Sequence, residues 1–508
     1  MRIINTAEVK PEDLSSWERE QCYNGLDTCV TSEILEVLLP QLDNHTAATY
    51  EFSKALQGPV LEMRLRGVKI DLHRRDIVLD DYYELVDRLD EQLNAIVGPA
   101  FGMHDFNWRP NSRDPGELFY NRMGIPPVIK AGRPTADRAA LEKLESYFLA
   151  GVIVRHIIQL RELWKKIQVL KTEVDRDGRI RTSYNIAGTS TGRLSSSFSE
   201  FGTGGNLQNI EEALRSVFVA DKGMKLAYLD ARQGESRVVG AIEGNLFGDF
   251  KYLDACEGGD LHTAVARLVW PDLAWTGNLK LDRKLAERPF YRHYDRRFMC
   301  KKIGHGTNYG GRPRTLAGQA KVEVGLIEDF QPKYFRAFPA HQRWHGWVAQ
   351  QLDEHGYLVS LTGRKRWFFG RRNDDSTLRE AIAYDPQGSL ADILNRGMLE
   401  VWRRRDCQVL MQIHDAILIQ YPEEREDDII PRVREALRFP IKLVQGRDFE
   451  IPYDVATGWN WGKFDEKDNP DGLKAYTPGD QRRRSPEAHV LDRVFRKAYR
   501  QSRKRGGF

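Results

Sequence analysis

The chain has 508 residues, 41% of them hydrophobic and 30% charged, with a formal net charge of +4, the composition of an ordinary soluble globular protein of about three domains. No apolar run approaches the roughly 18 residues that span a bilayer, and the start, MRIINTAEVKPED, lacks the apolar stretch of a signal peptide, so membrane and secreted classes are excluded and a cytoplasmic setting is expected. Cys22, Cys29, Cys256, Cys300 and Cys407 form no CxxC pair and are odd in number, which argues against a structural zinc site and a disulfide framework.

In chain order, apolar spacing predicts helix from Ser15 to about Leu42, again over Leu56–Gly67, and a long amphipathic helix over residues 73–97. Residues 107–136 read as irregular and proline-rich, followed by two more helical stretches up to about Val174. From Asp175, DRDGRIRTSYN has hairpin character, and KLAYLDA and VLMQIHDAILIQY read as buried strands about 185 residues apart. The segment from Arg482 to the end carries ten Lys/Arg against Glu487 and Asp492, a basic tail on a near-neutral body. Such a tail suits a polyanion or is simply solvated.

Asp230 ends one apolar run and Asp415 interrupts the other. A carboxylate there is costly unless it lies at a turn or binds a cation, and His414–Asp415 fits the tip of a tight hairpin. Each Asp taken alone reads as a turn residue. Together, two carboxylates at adjacent strand ends are what a pair of Mg²⁺ ions in phosphoryl transfer requires. In DRRFMCKKIGHGTNYGG, Arg297, Lys301, His305 and Tyr309 recur every four residues, one slowly winding helical stripe. It fits a triphosphate and a sugar or base, or else a solvated face. Phe298 and Ile303 supply a separate buried side, and Gly304 and Gly306 leave room for close approach. TSTGRLSSSFSEFGTGGNLQNI, with Arg193, is rich in donors suited to a nucleic-acid backbone. REAIAYDPQGSLADIL reads as a helix with Arg379 and Gln387 on its approach, and Arg193 and Gln387 could read minor-groove acceptors.

These stretches, TGRLSSS…NLQNI, DARQGESR, RRFMCKKIGHGTNYGG and QIHDA, resemble the motifs of family A DNA polymerases in order and spacing, over residues of about 46–462. The resemblance implies an α+β right-hand polymerase: an antiparallel palm sheet with helices, helical fingers and a helical thumb. Its expected parts are 1–45, a remnant of an exonuclease-like domain; 46–175, palm edge and thumb; 176–255, first part of the palm; 256–384, fingers; 385–462, second part of the palm; and 463–508, a basic tail. It implies that Asp230 and Asp415, with the Ala231 carbonyl, bind two Mg²⁺ ions, Mn²⁺ being able to substitute. Glu235 would be the steric gate against ribonucleotides. Arg297 and Lys301 would hold the triphosphate, Lys301 also protonating pyrophosphate, with His262, His305, Gln233 and Tyr309 at the nucleotide. Arg193, Gln387, His414, Arg379, Asn206, Gln208 and Asn209 would contact primer-template DNA.

Three positions depart from the family pattern: His305 stands where Phe or Tyr is usual, Ala416 where Glu is common, and Ala383 where Asn is frequent. YNGLD (Tyr23–Asp27) resembles the last motif of a 3′–5′ exonuclease, yet no DxE pair precedes it. The expectation is therefore a monomeric, phage-type replicase without proofreading, with a separate exonuclease chain as a possible partner on residues 1–45. Rival readings are a single-subunit RNA polymerase and a non-catalytic primer-template-binding accessory.

Overall fold

The two apolar runs far apart in sequence are neighbours in one sheet. In the computed structural model, which describes residues 10–200, 202–291, 294–371, 374–480 and 482, strand β1 (Met224–Ala231) lies between β3 (Ala416–Pro422) and β4 (Tyr453–Gly458). With β2 (Gln408–Ile413) and β5 (Lys474–Ala475), the antiparallel order is β2-β3-β1-β4-β5. The central strands are buried almost throughout, which is why they read as continuous apolar runs rather than as alternation. Lys225 is tolerated inside β1 because its ammonium pairs with Glu426 and lies 4.8 Å from the Trp459 ring centroid.

Packing divides the chain into two compact units, Met1–Leu56 with Gly258–Ser389, and Gln57–Glu257 with Leu390–Phe508. The second unit holds the sheet and a helical pair. Helix Leu72–Phe101 is capped by Asp71, whose carboxylate accepts from the Arg74 amide, and it ends at Gly102 with φ 65°. Its Val78, Tyr82, Val86, Leu93 and Val97 share one apolar core with Ile153, Val154, Ile157, Leu160 and Ile167 of helix Phe148–Leu170. The first unit is mainly helical, including Leu261–Val269, Val324–Ala337 and Pro339–His355. No helix among the described residues is long and apolar enough to cross a membrane.

Two expectations about local structure need correction. DRDGRIRTSYN is not a self-paired hairpin: Arg179–Ile180 pairs with Val68–Ile70, whereas Ser183–Asn185 pairs with Ser195–Ser197. The Asp175–Gly178 turn was legible, but long-range pairing decides where each arm goes. The basic tail also begins later than residue 463. Lys474–Ala475 pairs with β4, and Arg482 donates to the carbonyls of Gly472 (3.1 Å) and Thr457 and lies over the rings of Trp459 and Phe464. Residues 483–508, the rest of the expected tail, lie outside the described residues.

Candidate active site

The β2–β3 turn brings the two predicted aspartates together. Ala416 lies directly across from Asp230 in the β3–β1 register, so Asp415 sits one residue before Asp230's cross-strand partner. The Ala231 amide donates to the Asp415 carbonyl at 3.0 Å. His414 takes φ 51°, the left-handed conformation that lets two residues close the turn. The Asp230 carboxyl is pushed up to about 6, first by burial, then by the negative charges of Asp415 and Asp454; Arg215 and a hydrogen bond with Tyr228 oppose this. Crowding by two other acids pushes the Asp230 carboxyl toward protonation unless a cation shares its field.

The loop that carries Arg193 reaches the same place. Its guanidinium pairs with Glu235 and lies 3.4 Å from an Asp415 oxygen. Thr189 Oγ1 donates to the Arg193 carbonyl at 2.7 Å, and Asn395 Nδ2 to that of Gly192 at 3.1 Å, holding the loop. Glu235 stands in the first turn of helix Gly234–Phe247, entered through Gln233 at φ 54°. Gln208 was expected at DNA, but it is buried. Its amide donates to the Leu194 carbonyl (3.1 Å) and to Gln412 Oε1 (2.9 Å), while Gln412 donates to the His414 carbonyl at 2.7 Å. Gln208 therefore braces the aspartate turn rather than facing a ligand. Asn206 and Asn209 are exposed, Asn206 donating from Nδ2 to the Ser196 carbonyl at 2.9 Å; His414 is exposed at the turn.

In the other unit, the predicted basic stripe is broken by a wider turn: Arg296–Met299 is α-helical, Cys300–Gly304 is π-helical, and His305–Asn308 is α-helical again. The stripe nevertheless converges on His262. Burial, then the charge of Arg297, with Lys301 and His305 adding less, hold the His262 imidazole down at about 4 against the pull of Asp260. His262 is thus neutral near pH 7, a hydrogen-bonding group and not a cation. Arg297 is held by Asp260, Nε to Oδ2 at 2.9 Å and Nη2 to Oδ1 at 3.2 Å, while Asp260 also caps helix Leu261–Val269. Lys301 and His305 are exposed, and the His305 and Tyr309 ring centroids lie 5.1 Å apart. Gly304 and Gly306 do not open space for a ligand: a Cβ there would meet Tyr334 and Leu316 at 3.2 and 2.4 Å. Arg379 pairs with Asp375 at 2.9 Å, and Gln387 is half-buried in helix Asp375–Arg404.

The family model described as DNA polymerase family A matches residues 80–463. The chain belongs to DNA polymerase family A. Among related family A chains, it is 28% identical to the thermostable DNA polymerase I of Thermus filiformis over 90% of this chain and 54% of that one. It is also 28% identical to DNA polymerase I of Chloroflexus aurantiacus, over 91% and 48%. The chain therefore spans about half the length of these relatives. Its fold matches the structure described as the POL domain of Pol1 from M. smegmatis in complex with DNA primer-template and dNTP, with a TM-score of 0.64 at 22% identity, covering 80% of this chain and 69% of that chain.

As a family A member, the chain offers oxygen donors at the turn. Among the described residues no three His, Cys, Asp or Glu side chains gather to hold an ion by themselves. Mg²⁺ takes one or two carboxylates and completes its shell with water and substrate phosphates. Asp230 and Asp415, with the Ala231 carbonyl, are the groups that would hold such an ion at this end of the sheet. Several supporting residues were not legible as such. Gln412 and Asp260 fix the turn and Arg297. Asn308 accepts from Tyr334 (2.7 Å) and His341 (2.9 Å) through Oδ1, and from His345 (2.8 Å) through its carbonyl, anchoring the helix end before Tyr309. A buried Asn among aromatic residues was the available signal.

Proposed function

We propose that the chain is a template-directed DNA polymerase that adds deoxynucleotides to a primer 3′-hydroxyl. The observation that carries this reading is the register of β3 against β1, with Asp415 and Asp230 at one sheet end and Arg193 bridging Asp415 to Glu235. Two Mg²⁺ ions, when bound, would lower the charge cost at the attacking and leaving oxygens. Asp230 and Asp415 hold that charge, and the Ala231 carbonyl adds an uncharged oxygen. Arg297 orients the triphosphate and Lys301 gives a proton to the departing pyrophosphate. Neutral His262 donates one hydrogen bond without competing with them for charge. Glu235, fixed by Arg193, fills the space that a ribose 2′-hydroxyl needs. Tyr309, His305 and Gln233 are assigned to the nucleotide, and Arg193, His414, Gln387, Arg379, Asn206 and Asn209 to primer-template DNA.

The reading extends to a monomeric replicase of phage type, in the cytoplasm, that does not proofread. Tyr23 and Asp27 lie on helix Ser16–Leu38, none of whose residues is buried. A separate 3′–5′ exonuclease chain would cover its exposed Trp17, Tyr23, Val30 and Ile34. Failure of the two polypeptides to co-migrate on a sizing column removes that partner. The activity itself is tested by Mg²⁺-dependent extension of a labelled primer-template with dNTPs and, in parallel, NTPs. Extension with dNTPs alone supports the reading, and preference for NTPs supports the RNA polymerase alternative.

A further inference from the structure

Asp230 has two cross-strand neighbours on its own face of the sheet. On one side the register places Ala416, a buried residue with no charge to offer. On the other it places Asp454 of β4 directly opposite Asp230. Side chains directly opposed in an antiparallel pair share a face, with Cβ atoms about 5 Å apart. Asp454 is thus a second carboxylate in the row Ala416–Asp230–Asp454, on the flank away from the aspartate turn, and the third at this sheet end after Asp230 and Asp415. It is held there: Arg232 Nε donates to Asp454 Oδ1 at 2.8 Å and a second guanidinium nitrogen reaches the same oxygen, while the Arg232 amide donates to the Pro452 carbonyl at 2.9 Å. With its Oδ1 taken by Arg232, Asp454 acts on the site by charge rather than as a direct ligand.

We propose that Asp454 is a positioning residue of the cation site, supplying through Asp230 a third negative charge beside those of Asp230 and Asp415, with Arg232 holding the carboxylate in place and partly neutralising it. The inference rests on the reading of Asp230 and Asp415 as cation ligands. An exposed ion pair kept for stability alone contributes little, and it would make loss of either partner equivalent. A charge that serves the cation makes the two losses opposite. Removing Asp454 takes negative charge away from the site, and removing Arg232 unmasks it. Substitution of groups just outside a metal's direct ligands costs about 10–100-fold in metal affinity, and the lower end of that range applies to a group that acts by charge.

The test is Mn²⁺ binding to the full-length chain without DNA or nucleotide, read from the electron paramagnetic resonance signal of free Mn²⁺, beside the Mg²⁺ concentration for half-maximal primer extension. Asp454→Asn is expected to weaken Mn²⁺ binding about tenfold and to raise the Mg²⁺ demand by a similar factor. Asp454→Glu should restore both, and Arg232→Gln should bind Mn²⁺ at least as tightly as the unaltered chain. Unchanged Mn²⁺ affinity in Asp454→Asn overturns the proposal, as does equal weakening by Asp454→Asn and Arg232→Gln. Asp230→Asn is the control that separates the two levels. If it binds Mn²⁺ like the unaltered chain, the ligand reading fails. If it loses Mn²⁺ while Asp454→Asn does not, only the role of Asp454 fails.

Discussion

The Ala231 amide donates to the Asp415 carbonyl at 3.0 Å, so the backbone itself fastens together the two strand ends that carry the acidic pair. Neutralising one acid should therefore ease the like-charge repulsion felt by the other, before any loss of fold.

Asp230 makes that coupling measurable through pH. Its folded-state carboxyl titrates at about 6, above the ordinary 3.8. A raised value means that its contribution to stability is fully present below about pH 4 and is lost as pH rises through 6. At pH 8 in a chelator, Asp230→Asn should be more stable than the unaltered chain by about 1 kcal/mol, less than the full pKa conversion because the side chain opens to solvent. The gain should vanish near pH 4. Mg²⁺ should raise the melting temperature of the unaltered chain and not that of the variant. Thermal melts at both pH values, with and without Mg²⁺, check this.

Arg193 and Glu235 form the second coupled pair. Glu235→Ala should lower discrimination against ribonucleotides by on the order of 10–100-fold, because the group occupying the 2′-hydroxyl space is gone. Arg193→Ala should loosen the same gate and also slow dNTP addition, since its guanidinium faces Asp415 as well. Single-turnover incorporation of matched dNTP and NTP separates the two. Unchanged sugar preference in Glu235→Ala removes it as the gate.

Arg297 is pre-oriented by Asp260. Arg297→Ala should raise the KM for dNTP by about 10–100-fold, the equivalent of removing one charge-assisted hydrogen bond of about 1.5–3 kcal/mol. Asp260→Asn should raise it less, because the guanidinium keeps its charge but loses its orientation. Steady-state KM values for both variants decide whether Asp260 serves Arg297 or only caps its helix.

The basic tail should be cut after Arg482, which packs against Trp459 and Phe464. Removing residues 483–508 should weaken primer-template binding and flatten its salt dependence by about 0.9 in the log–log slope for each phosphate that is no longer neutralised. An identical slope shows that the tail does not touch DNA.

Asp230 and Asp415 stood out because a carboxylate inside an apolar strand is conspicuous, whereas the single helical stripe read from the spacing of Arg297, Lys301, His305 and Tyr309 is broken by the π-helical turn at Cys300–Gly304. What escaped were partners chosen by register. Gln208 looked like a DNA-facing amide until its bond to Gln412, 204 positions away, put it beneath the turn. Asp454 carried no local signal, since only strand pairing sets it opposite Asp230. Lys474–Ala475 is too short a strand to show alternation, so the sequence alone sets the start of the tail too early.

The most direct test is single-turnover primer extension with Mg²⁺ by the unaltered chain, Asp230→Asn and Asp415→Asn, each first shown to bind primer-template. The account predicts dNTP addition by the unaltered chain and a loss of about 4 kcal/mol in transition-state stabilisation, roughly a thousandfold in rate, in either variant. Extension by either variant at the unaltered rate would contradict it.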